Sequence, residues 1–162
     1  MTAGAWAPVA ADGQGAGPGP DGSAAPGNGA ARSASWKVRC SAVAVGRARR
    51  ELRGLLERWG LHPDAHDSLL VVAHELMVNG VEHGRTDVRL TVGLTAGGVR
   101  VAVHDGSPAP PELQALHTAA PRGRGLQMIE AFAASWGWNL DGDGKTVWAE
   151  VPGMRGHPGP AA

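Results

Sequence analysis

Apolar side chains return along this chain with two different periods. Leu69, Ala73, Leu76, Met77, Gly80 and Val81 recur at steps of three and four. At about 100° per residue they fall in one arc, which predicts an amphipathic helix starting near Pro63 and Asp64, running to His83 and stopped by Gly84. An earlier helix, capped by Ser41 and stopped by Gly60, carries Leu52, Leu55, Leu56 and Trp59 on one side. Alternation of period two predicts strands at 36–40, 88–94 and 99–104, the last two joined by a loop holding Gly97 and Gly98. A Pro-rich turn follows Asp105, with a short helix near Pro111. Gly123-Arg124-Gly125 opens a further helix through about Ala134, and a hairpin of 136–140 with 145–151 closes around Asp141-Gly142-Asp143-Gly144. Helices interleaved with antiparallel hairpins predict an α+β two-layer sandwich.

Composition limits where that sandwich lies. The chain has 162 residues, enough for one ordinary domain. Residues 1–34 are almost all Gly, Ala, Pro, Ser and short polar types, too poor in apolar side chains to offset ordering entropy, so a disordered tail is expected there. Residues 153–162 read the same way, leaving a folded domain at 35–152. One cysteine, Cys40, excludes a disulfide framework, leaves a thiolate-type zinc site to be built almost wholly from histidines, and fits a reducing cytoplasm. A net charge of zero argues against a polyanion as main partner. No positive residue precedes an apolar run and no apolar stretch reaches 18 residues, so neither a signal peptide nor a membrane span is expected.

On the second helix Glu75, Asn79 and His83 recur every four residues and drift by about 40° per step, forming a polar line beside the apolar arc. Taken alone, a solvated face with an i,i+4 pair accounts for them. A carboxylate and an amide at the rim of a core are nevertheless unusual, because burial without partners costs several kcal/mol.

The segment Glu75-Leu-Met-Val-Asn79-Gly-Val-Glu-His83-Gly84 resembles the asparagine box of the GHKL ATPases, the superfamily of gyrase, heat-shock chaperone, histidine kinases and mismatch-repair protein. Val103-His104-Asp105-Gly106-Ser107-Pro108 is similar to its first glycine box, Gly123-Arg124-Gly125-Leu126 to the second, and Gly144-Lys145-Thr146-Val147-Trp148 to the last. Four such pieces in this order span about residues 36–151. The resemblance implies a Bergerat-type sandwich with a mixed, mostly antiparallel sheet, binding ATP and Mg²⁺. It implies Glu75 as the catalytic base and Asn79 as the Mg²⁺ ligand. Nucleotide contacts are implied for Asn79, His83, Asp105, Gly106, Gly123, Arg124, Gly125, Leu126, Lys145 and Thr146, with 109–122 as a lid.

Residue chemistry suits those roles. Asn79 offers a hard oxygen for Mg²⁺, and Glu75, one turn earlier, could take a proton from an incoming hydroxyl. Asp105, at a strand end facing the helix layer, could accept a hydrogen bond from the adenine amino group. Gly123 and Gly125 precede a helix N-terminus suited to phosphate oxygens. Two departures stand out: Gly106 follows Asp105 directly, in place of Asp-x-Gly-x-Gly, and Gly80 stands where a small alanine is usual, at a cost of up to about 1 kcal/mol in a helix interior.

Other patterns fail on spacing. His74-Glu75 lacks a second histidine at Val78 for a zinc-protease helix, and Gly144-Lys145-Thr146 lacks the leading glycine of a phosphate loop, at Asn139. His62 and His66 read as a surface pair, and Trp136, Trp138 and Trp148 as hairpin packing. Among the superfamily's small single-domain members the chain resembles the anti-sigma-factor serine kinases (RsbW type), which implies phosphorylation of a serine on a small antagonist protein and the holding or freeing of a sigma factor; a homodimer stays open. The second reading is a non-catalytic ATP-binding regulatory module. The third uses Arg47, Arg49, Arg50, Arg53 and Arg58 of the first helix against nucleic acid, though direct nucleic-acid binding is not expected.

Overall fold

The computed structural model describes residues 32–109 and 125–153. The expected tails up to residue 31 and from 154, the short helix near Pro111 and most of the expected lid lie outside the described residues. Helix α1 (Ala42–Arg58) begins as its sequence predicts, with the Ser41 hydroxyl accepting the Ala44 N–H at 3.1 Å. It ends at Trp59, followed by Gly60 at φ +67°, a conformation that favours glycine. Its buried face is Val45, Ala48, Leu52 and Leu56, while Arg47, Arg50, Arg53 and Arg58 stay exposed.

Helix α2 (Pro63–Gly84) starts with Pro63 in its first turn and the His62 ring nitrogen Nδ1 accepting the Asp64 N–H at 3.3 Å. Its buried set is wider than one arc: Ala65, Leu69, Leu70, Val72, Ala73, Leu76, Met77 and Gly80. The helix packs against α1 on one side and against the sheet and α3 (Gly125–Phe132) on others. The helix ends at Gly84, as its sequence predicts. The helix includes Gly84 and turns at Arg85, which takes φ +50° and donates its N–H to the Val81 carbonyl at 3.2 Å.

The five strands β1 (Ser33–Val38), β2 (Val88–Leu94), β3 (Gly98–Asp105), β4 (Ser135–Asp141) and β5 (Gly144–Pro152) form one sheet in the order β1-β2-β3-β5-β4. Every neighbouring pair is antiparallel, so the expectation of a mixed sheet is corrected. β1 starts two residues inside the stretch expected to be a tail, because Trp36 and Val38 pack on the core and Ser33–Val38 pairs with all but one residue of β2. Alternation sends Val88, Leu90, Val92, Val99, Val101, Val103, Val147, Ala149 and Val151 toward the helices, where they are buried. Gly98 belongs to β3 rather than to the loop before it, since a Cβ there would collide with the Val151 carbonyl oxygen. Among the described residues no helix is long and apolar enough to cross a membrane.

Gly80 has a packing cause that its helical position hides. A Cβ there would lie 2.9 Å from Val88 Cγ1 and 3.3 Å from Val103 Cγ1, two stiff β-branched side chains of the sheet. Gly80→Ala is therefore expected to destabilise the fold by about 1–2 kcal/mol, overpacking outweighing the gain in helix propensity. Urea unfolding checks this, and an alanine variant as stable as wild type would contradict it.

Candidate functional site

The polar line on α2 meets two other elements. Glu75 and Asn79 are half-buried where α2 passes under the start of α3. A Cβ on Gly125, the first residue of α3, would lie 2.7 Å from Glu75 Oε2 and 3.6 Å from Asn79 Oδ1. The missing side chain at 125 thus leaves a cradle into which a carboxylate and an amide oxygen both point. His83, one turn beyond Asn79, is exposed in the last turn of α2, and no described contact joins it to that cradle.

Further along α2, Gly84 faces the end of β3. A Cβ there would lie 3.1 Å from Asp105 Cβ and Cγ and 3.2 Å from Oδ1, and one on Gly80 would lie 3.7 Å from Asp105 Cβ. Two glycines one turn apart therefore make room on the helix for one carboxyl group. Asp105 is 1% exposed and Lys145, opposite it in the β3–β5 register, 3%. The Lys145 ammonium lies 3.0 Å from both Oδ1 and Oδ2, and the Ser107 N–H donates to Oδ1 at 2.8 Å. The adjoining Gly106 is exposed and donates its N–H to Thr86 Oγ1 at 3.1 Å. Gly144 begins β5 so close to β3 that a Cβ would collide with the Asp105 carbonyl oxygen.

Thr146, expected beside the nucleotide with Lys145, is on the other side of the sheet. Strand alternation sends Lys145 to the helix layer and Thr146 away from it, where its hydroxyl donates to Asp141 Oδ2 at 3.0 Å. Asp141 Oδ1 is 2.8 Å from His104 Nε2, and these residues line a shallow groove with Arg89, Thr91, Ala102 and Asp143. Gly123 and Arg124 lie outside the described residues, and Leu126 is placed as the second residue of α3. Sequence reasoning missed Gly84 as the neighbour of Asp105, Thr86 as the partner of Gly106, and the Asp105–Lys145 pair. Only the strand register brings that pair together, and position along the chain carries no direct trace of it.

A helix whose polar line meets a glycine at the mouth of a second helix, beside a buried strand-end carboxylate, on one face of an antiparallel sheet, is the frame of a nucleotide-binding sandwich. A family model described as the histidine kinase-like ATPase domain matches residues 39–151. The chain belongs to this family, whose members bind ATP. No curated protein matches it.

Proposed function

We propose that this chain is an ATP- and Mg²⁺-dependent protein serine/threonine kinase of the anti-sigma-factor type, acting in the cytoplasm. Its substrate would be a serine on a small antagonist protein, and its second partner a sigma factor held or freed according to that phosphorylation. The observation that carries the reading is the cradle at Gly125, where Glu75 Oε2 and Asn79 Oδ1 face one unsubstituted Cα. Pure nucleotide binding has no use for a carboxylate there. Proton removal from an attacking hydroxyl does.

Asn79 Oδ1, close to the unsubstituted Cα of Gly125, is a hard oxygen of the kind Mg²⁺ takes, the ion keeping waters and phosphate oxygens for the rest. Asn79 would hold the ion, which when bound neutralises charge on the phosphates. Glu75 would orient and deprotonate the acceptor hydroxyl. The backbone at the start of α3 would lie along the phosphates, and Asp105 would accept the adenine amino group. Single-turnover transfer from labelled ATP to a candidate antagonist tests the reading. Phosphoserine on the antagonist is the expected result. A wild type that binds both ATP and antagonist yet transfers nothing is instead a non-catalytic regulatory module.

Asn79→Ala removes the amide oxygen from a half-buried helical position whose neighbours Leu76, Met77 and Gly80 form the core. Its fold should survive, and its Mg-ATP affinity should fall about tenfold or more while magnesium-free nucleotide binding changes less. Titration calorimetry with and without Mg²⁺ reads the difference; equal losses in both would remove Asn79 from the metal site.

A further inference from the structure

Asp105 and Lys145 are the buried charged residues among those described. A buried pair is weak evidence for stability, since well-packed apolar side chains of similar volume often do as well. Its neighbours on the same face of β3 and β5 show what such packing looks like: Val103 faces Val147, and Val101 faces Ala149. The geometry of the pair suggests a use beyond stability. An ionised carboxylate offers about four lone-pair positions. The ammonium donates to Oδ1 and lies 3.0 Å from Oδ2 as its counter-charge, and the Ser107 N–H adds a second bond to Oδ1. On the helix side Gly84 and Gly80 present no side chain that could compete or turn the group. Oδ2 keeps acceptor capacity, with no described hydrogen bond, on a residue that is 1% exposed.

We propose that Lys145 is a positioning residue for base selection. It fixes the Asp105 carboxylate in one orientation, as an acceptor only, with Oδ2 left to an exocyclic amino group. Purines with a 6-amino group are then bound more tightly than those without one. Lys145 acts through Asp105 and does not touch the nucleotide. The inference rests on the ATP-binding reading with Asp105 as the adenine acceptor, and its test separates the two.

The readout is the ratio of dissociation constants for purine riboside triphosphate, which lacks the 6-amino group, and for ATP. Both ligands share ribose and phosphates, so a pocket that merely loosens weakens both and leaves the ratio unchanged. For the full-length wild type a ratio of about 10–100 is expected, that of one hydrogen bond to a charged group. In Lys145→Met it should fall to about 1–3. In Asp105→Asn it should fall likewise, and adding Lys145→Met to Asp105→Asn should lower it no further, because the two residues form one unit. Circular dichroism checks folding. If the methionine variant does not fold, Lys145→Gln, which keeps a donor without the charge, is measured in its place, and its ratio should drop at least threefold.

A wild-type ratio retained by the folded Lys145 variant would overturn the proposal. So would a further fall in the double variant, which would show Lys145 touching the base itself. A wild type that binds both ligands with equal affinity overturns the role of Asp105 and the proposal together, while leaving ATP binding intact. A wild type that binds neither overturns the ATP-binding reading from which both descend.

Discussion

Glu75→Gln should bind Mg-ATP as well as wild type or better, and should transfer phosphate to its protein substrate roughly 10²- to 10⁴-fold more slowly. The amide keeps the shape of the side chain beside Gly125 and removes its charge and basicity. A base acts on the acceptor hydroxyl in the transition state, so its loss should appear in the transfer rate and not in nucleotide affinity. Removing one negative charge near the phosphates should, if anything, tighten the ground-state complex. Glu75 is half-buried at the rim of α2, so stability should change little. The deciding measurement is single-turnover transfer beside calorimetric ATP binding for both proteins. Equal transfer rates would contradict the role given to Glu75, whereas a matched loss of affinity and rate would make it a binding residue.

Asp105→Asn should be the more damaging change to the whole molecule, because it acts on fold and ligand at once. The amide that replaces the carboxylate leaves the Lys145 ammonium, side chain 4% exposed, without its counter-charge. Breaking a buried pair from one side costs about 3–5 kcal/mol, with the isosteric amide at the lower end because its oxygen still accepts. That is a large part of the 5–15 kcal/mol typical of a domain. ATP affinity should fall by a further few kcal/mol at most, the scale of a hydrogen bond to a charged group. Chemical unfolding with and without ATP separates the two losses. A variant as stable as wild type would mean that the ion pair contributes nothing net, and wild-type binding of GTP on a par with ATP would remove Asp105 as the reader of the base.

How far the sequence alone led can be judged from those residues. The helices were legible because their apolar periods and caps are local: Ser41, Gly60 and Pro63 mark boundaries within one or two residues of where the elements lie. The polar line of Glu75 and Asn79 was legible for the same reason, since four residues make one turn. What chain order could not show was each glycine's neighbour across the fold. Gly80 looked like a weakened helix position and Gly84 like a stop signal, yet both are set by what the sheet presents to them, Val88 and Val103 for one and Asp105 for the other. Thr146 was misplaced because resemblance carries a motif over as a block, whereas a strand divides it residue by residue between two faces. Lys145 and Thr146 are neighbours in the chain and on opposite sides of the sheet.

The strand order has a consequence for how the protein comes into being. β5 is the last of the described strands, yet it lies inside the sheet, between β3 and β4. Synthesis runs from the amino end, and domains tend to fold as units as they emerge. Until 144–152 leaves the ribosome, β3 has no partner on one side and Asp105 has no lysine. A nascent chain that holds only α1, α2, β1, β2 and β3 therefore still lacks the Asp105–Lys145 pair. Closure of the sheet and pairing of its buried carboxylate therefore come together, with one late strand inserted between two earlier ones.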